Sequence, residues 1–168
     1  MRSIFYAFFF ILILYRNSII VSEELKNMET ILHNDPLIAA IISWFLAQLT
    51  KVVFKLIKTG EFDFAKFFAS GGMPSSHAST VTALATGVGV VEGVESPIFA
   101  VAAIFAIIVM YDASGVRLAV SKQAKILNDF FHGRQTEYKK LNELVGHTPY
   151  QVVVGALLGI VVGVGYCL

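Results

Sequence analysis

Charge is scarce in this chain and cysteine is almost missing. Of 168 residues only 15% are Asp, Glu, Lys or Arg, and the formal net charge is +1. No basic excess is available to neutralise phosphates along a duplex, which argues against a nucleic-acid partner. The one cysteine, Cys167, stands next to the last residue. That leaves no internal disulfide and no cysteine-based metal site. Hydrophobic residues make up 56% of the chain, more than a soluble domain of this size normally carries. One domain is expected, most of it in a bilayer. Its fold class reads as all-α, an integral membrane helical bundle. No ionisable residue sits clearly at mid-membrane depth, where a translocation site would need one, so a small transporter is the weaker reading.

Residues 4–21 are strongly apolar but interrupted by Arg16, which fits a retained anchor helix or a signal-like segment, with retention preferred and a start at Met28 as a third option. The stretch 22–36 is polar and net acidic. The chain therefore divides into 1–31, an anchor or signal-like segment with an acidic linker, and 32–168, the membrane domain. Four core spans are expected in that domain, over 37–57, 77–94, 98–111 and 150–168. Residues 61–70, rich in phenylalanine, should lie in the headgroup region. Between the third and fourth spans, Val116, Val120, Ala124, Leu127 and Phe131 follow one helical stripe, with Lys122, Lys125 and Asp129 on the other side. This predicts an amphipathic interfacial helix over 112–132, followed by a charged linker over 133–145. Ala85, Gly89 and Gly93 recur every four residues, as do Gly155, Gly159 and Gly163. Both patterns make smooth stripes for close helix contact, and the second could as easily join two copies in a homo-oligomer as two helices of one copy.

Ten of the thirteen Lys and Arg residues fall within 51–75 and 112–148. The positive-inside rule makes both stretches cytoplasmic, with the acidic 23–35 segment and Glu92 and Glu95 on the opposite face. Three polar clusters then share the cytoplasmic face: 73–77 entering the second span, 112–117 leaving the third, and 146–151 entering the fourth.

The first of these is the end of Gly71-Gly72-Met73-Pro74-Ser75-Ser76-His77. Two glycines free the backbone, Pro74 fixes φ near the helix start, and Ser75 or Ser76 can cap the first turn. Helix amides and the positive dipole end would then face a pocket suited to an anion such as phosphate, although a plain capped helix start with a surface histidine fits the heptapeptide taken alone. In the last cluster, Thr148 as cap, Pro149 at the first helical position and Gln151 three residues after the cap fit a capping box. Lys51 and Lys55 can snorkel to the interface or point into a cavity. Two histidines, an arginine and several hydroxyls on one face suit phosphoryl transfer. One imidazole attacks phosphorus, another protonates the leaving oxygen, and cations hold the nonbridging oxygens. Neither step needs a metal or a cofactor. Asp112 reads as an ion-pair partner of Arg117 or Lys51 rather than as a base.

The motifs at 71–77, Asp112-Ala-Ser-Gly-Val-Arg117 and Gly146-His-Thr-Pro149 resemble those of the divergent type-2 phosphatidic acid phosphatase family, a distant branch of the acid phosphatase and vanadium haloperoxidase superfamily. The resemblance covers roughly residue 37 to the C-terminus. It implies a phosphatase-like membrane domain acting on a lipid or isoprenyl phosphate monoester through a phosphohistidine on His147, with His77 as the general acid. It further implies Lys51, Ser75, Ser76 and Arg117 as phosphate ligands, a membrane lipid or lipid phosphate as the partner, and no metal. Two departures stand out. The parent pattern has an aspartate four residues after the nucleophile to orient it, and this chain has Gln151; a glutamine carbonyl can hold the ring but brings no charge. The parent's arginine after the first lysine is also missing, leaving Lys58 or Lys66 as substitutes without bidentate geometry. Both departures favour the competing reading, a catalytically silent membrane protein that keeps the pocket for phospholipid headgroups.

Overall fold

The computed structural model describes residues 31–60, 62, 67, 71–132 and 139–168. The expected N-terminal anchor, most of the acidic linker, most of the 61–70 connection and Lys66 lie outside the described residues. Residues 31–34 make a turn closed by the Asn34 N–H on the Ile31 carbonyl at 3.1 Å. Residues 35–168 form a separate compact unit.

Every regular element described in that unit is helical: α1 (Asp35–Thr59), α2 (Ser76–Glu92), α3 (Pro97–Ser114), α4 (Val116–Phe131) and α5 (Pro149–Cys167). The starts follow from local chemistry. Ser75, Ser96 and Thr148 are extended N-caps whose hydroxyls accept a backbone N–H from the first turn, and Pro97 and Pro149 open their helices. Residue 93 ends α2 as a C-cap with φ +84°, a conformation that favours glycine. It therefore serves as a terminator and not as part of a packing stripe. Three helical stretches are long and apolar enough to cross a membrane, namely Asp35–Thr59, Pro97–Phe131 and Pro149–Cys167. Helix α2, with 17 residues, is about 26 Å long and packs against α1, α3 and α5.

Small residues set these contacts. Gly155, Gly159 and Gly163 are buried, and a Cβ on any of them would run into α2: the Ser75 carbonyl, the Ser79 carbonyl and Thr82 hydroxyl, and the Ala83 carbonyl with Thr86. The Thr82 hydroxyl also reaches the Ala156 carbonyl at 3.1 Å. Of the two uses the spacing left open, the glycine stripe here joins two helices of one copy. Between α1 and α2, Ser43 and Ser79 each lie within hydrogen-bond distance of the other's carbonyl, at 3.1 and 3.2 Å. On the α3 side, Val81, Ala85 and Val88 meet Ala102 and Ala106, with Phe99 packed alongside. Large apolar side chains such as Ile41, Phe45, Val101, Ile107 and Val161 point outward, as lipid-facing positions should.

Helix α4 leaves most of its apolar stripe outward, as expected of an interfacial helix, with Ala124 as the inward exception. Val116 is 62% exposed, and Val120 and Leu127 are exposed as well, while Ser121, Ala124 and Asn128 are buried. The inward face carries polar hooks. Ser121 Oγ accepts the Val145 and Gly146 N–H groups at 3.1 and 2.9 Å. Asn128 exchanges two hydrogen bonds of 2.9 Å with the Leu141 backbone. These bonds satisfy a segment with no secondary structure of its own, and the apolar stripe is left outward, where an interfacial helix needs it.

Because the α2–α5 seam has no room for a methyl group, Gly159→Ala should destabilise the fold by about 1–3 kcal/mol. Reversible unfolding of the purified protein in detergent measures this; an unchanged midpoint would show that the helices can separate without cost.

Candidate active site

The site forms where α2 and α5 begin side by side. The Ser75 N–H donates to the Gln151 carbonyl at 3.0 Å, and the His147 N–H to the Ala113 carbonyl at 2.9 Å. The start of α5 is thereby tied to the start of α2 and the end of α3. Gly146 lies so close to the Arg117–Leu118 backbone that no side chain would fit there. Residues separated by 70 positions in the chain meet as a result: the rings of His77 and His147 have centroids 5.7 Å apart with planes at 66°.

His147 is fully buried. Its Nδ1 lies 3.0 Å from the Gly72 carbonyl, and a carbonyl can only accept, so Nδ1 carries the proton and Nε2 keeps the lone pair. That Nε2 is buried and has no hydrogen-bond partner. Burial pushes the His147 pKa down to about 4, with the positive charges of Lys51 and His77 acting in the same direction, and with the Gly72 carbonyl and the Gln151 side chain acting against it. The ring is therefore neutral at physiological pH, with an unmet acceptor in a site where such a group costs about 1–3 kcal/mol. Gly72 can aim its carbonyl there because its φ of +100° is readily open only to glycine.

The remaining predicted residues are near by, in different states of commitment. Lys51 is buried and donates to the Ser76 hydroxyl at 3.3 Å. Ser75 is buried, and its hydroxyl is the α2 cap, accepting from the Ala78 N–H at 3.3 Å. Arg117 Nε donates to Asp112 Oδ2 at 2.7 Å, across the break at Gly115 that separates α3 from α4. Gln151 completes the capping box: its Oε1 accepts the Thr148 N–H at 2.9 Å, and its own N–H reaches the Thr148 hydroxyl. The group that holds the His147 ring is thus the Gly72 carbonyl, and the position that would carry the parent's aspartate is largely occupied with the helix start. Gly72 has no side chain to mark this role in the sequence, where the paired glycines at 71 and 72 are the available signal.

His77 is half-buried, and its Nδ1 is enclosed without a hydrogen-bond partner. It lines a cavity of about 600 Å³ together with Ser76, Thr80, Asp112 and Arg117, whose apolar walls include Trp44, Phe105 and Ile108. Its polar lining includes the Arg117–Asp112 ion pair, and most of its wall is apolar. Lys58, offered above as a replacement for the missing arginine, does not line it; Lys58 borders a second cavity with Lys51 and Lys55. No cluster of His, Cys, Asp and Glu suited to a metal ion occurs among the described residues.

The model of a family described as "Divergent PAP2 family" matches residues 32–162. The chain is also 41% identical over 145 residues to the uncharacterized membrane protein YuiD of Bacillus subtilis (strain 168), a match that covers 77% of this chain and 92% of that protein. No solved structure matches.

Between pH 6.5, the ordinary value for the unfolded ring, and about 4, the unfolded His147 binds a proton that the folded ring refuses. Stability should therefore fall as the pH drops through that window, by up to roughly 3 kcal/mol from this one ring. The midpoint of thermal unfolding followed from pH 7 to pH 4 tests this. The slope should flatten in His147→Gln, and a slope unchanged by that substitution would contradict a buried neutral imidazole.

Proposed function

The chain belongs to the divergent PAP2 family, and from that premise we propose that it is a membrane-embedded phosphatase which hydrolyses a lipid or isoprenyl phosphate monoester. The observation that carries this reading is the buried, neutral His147, with its Nε2 lone pair unpartnered and the second imidazole, His77, at 5.7 Å between centroids.

In the first step Nε2 of His147 attacks phosphorus. An N–P bond forms as the P–O bond to the alcohol breaks, and the leaving oxygen takes a proton from His77. In the second step water attacks the phosphohistidine, the N–P bond breaks, and the water's proton passes to His77, which restores both rings and releases inorganic phosphate. Arg117, the Lys51 ammonium and the first-turn amides of α2 offset the charge on the nonbridging oxygens. The Gly72 carbonyl fixes the ring's tautomer and direction, the role a carboxylate fills in the parent pattern. Trp44, Phe105 and Ile108 on the cavity wall suit an acyl or isoprenyl chain, which favours a membrane-resident substrate over a soluble one.

A second reading rests on Gln151. With its side-chain oxygen on the Thr148 N–H, no carboxylate stands behind His147 to stabilise its cation, and a pocket that binds phospholipid headgroups without turnover would tolerate that. Vanadate separates the two readings: a covalent bond to the His147 ring supports the enzyme, and simple occupancy supports the silent protein.

Purified protein should release inorganic phosphate from phosphatidic acid or an isoprenyl monophosphate, and His147→Ala should lower the rate by on the order of 10³ or more. Phosphate release that survives His147→Ala unchanged would remove the phosphohistidine from the mechanism.

A further inference from the structure

Asp112 and Arg117 stand on the two sides of the break between α3 and α4, and both line the cavity of His77. On an uninterrupted helix, residues five apart are about 140° apart around the axis and do not face each other. Here they meet because the chain breaks at Gly115, where a Cβ would come within 2.8 Å of the Tyr111 carbonyl oxygen. The turn that carries Asp112 is fixed in its own right. Ala113 is fully buried with Ala78 and Val152, from the first turns of α2 and α5, and its carbonyl accepts the His147 N–H. One turn of α3 therefore holds the His147 backbone with one residue and the Arg117 side chain with the residue before it.

As a stability element the pair is minor. Its side chains are 40% and 43% exposed, and exposed ion pairs contribute little to folding. Its geometry has a different consequence. A guanidinium offers five N–H donors in one plane, and Asp112 takes it at Nε, through Oδ2 at 2.7 Å. Among the described residues, no hydrogen-bond partner falls on the two terminal nitrogens. Those are the nitrogens that can grip two oxygens of one phosphate at once. A carboxylate on the wall of an anion pocket would by charge alone repel the ligand. Bonded to the Nε edge, it instead fixes the guanidinium and leaves the terminal fork unspent.

We infer that Asp112 is a positioning residue, which aims the two terminal nitrogens of Arg117 at the phosphate group of a ligand in the His77 cavity. The inference rests on the phosphate site proposed above but not on turnover there.

The test measures vanadate affinity by calorimetry on full-length protein in phosphatidylcholine nanodiscs, since vanadate enters a phosphate pocket whether or not His147 bonds to it. Asp112→Ala should weaken vanadate binding by about tenfold, whereas simple removal of a negative charge would tighten it. Asp112→Asn, whose carbonyl can still accept from Nε, should stay within about twofold of the wild type. In an Arg117→Ala background, Asp112→Ala should bring no further loss, because the two side chains act as one unit. Asp112→Ser, too short to reach Nε, replaces the alanine variant if that one fails to fold. Unchanged or tighter binding in Asp112→Ala, at a wild-type unfolding midpoint, overturns the inference. So does a loss that persists without Arg117, an Arg117→Ala protein with wild-type affinity, or a wild type that binds no vanadate. Phosphate release from phosphatidic acid is measured separately in the same variants. A protein that releases none, yet shows the coupled loss of vanadate affinity, leaves the role of Asp112 standing while the phosphatase reading fails. Additive losses in an active enzyme do the reverse.

Discussion

Close approach of two backbones, α2 and α5, is the constraint on which the rest of this structure depends. Gly155, Gly159 and Gly163 let α5 lie against the carbonyls of α2. In a bilayer there is little hydrophobic force to hold helices together, so van der Waals contact and interhelical hydrogen bonds must do it. Both helices begin at the same end of the bundle, where the Ser75 N–H is bonded to the Gln151 carbonyl. The residues at those two starts, His77 and His147, are brought into ring contact as a consequence. The same seam that folds the protein brings the two imidazoles together.

Polar groups in the interior fall into two kinds. Ser43, Ser79 and Thr82 are buried, and their hydroxyls bond to carbonyls of neighbouring turns and helices, so their burial is offset where it occurs. His147 Nε2, His77 Nδ1 and Gln48 Oε1 are buried without such partners. Native interiors rarely leave polar atoms in that state, and two of these three belong to adjoining rings. Lys51 stands between the two kinds: it is bonded to Ser76, yet it also borders the second cavity.

The segment before α5 shows how a stretch without regular structure can hold a buried side chain in place. Leu141, Val145 and Gly146 are fastened to α4 by Asn128 and Ser121, and the His147 N–H is fastened to Ala113 at the end of α3. With the ring held from the other side by Gly72, His147 is restrained through its backbone and its side chain at once. Arg117 is restrained similarly, by Asp112 through Nε and by the nearby Gly146 backbone.

Much of this was legible in the residues. Runs of apolar side chains fixed where α1, α3 and α5 lie, since a bilayer demands about 20 such residues with their backbone bonds satisfied internally. Thr148, Pro149 and Gln151 announced the start of α5 because a capping box is a purely local arrangement. The clustering of lysine and arginine places the three motif segments on one face. Other features depended on which surfaces meet. The periodicity of α4 named a stripe but not the direction it faces, and the hydrogen bonds of Ser121 and Asn128 to a distant segment turned it outward. The spacing of the α5 glycines fitted a partner helix in either the same or another copy, and only the packing against Ser79 and Thr82 chose the first. The hold on His147 by Gly72 could not be read at all, because a backbone carbonyl leaves no trace in side-chain identity and its direction is set by how the loop is folded. Local bonding and solvent preference are written residue by residue. The partners of a helix face and the aim of a carbonyl are set only by tertiary contact.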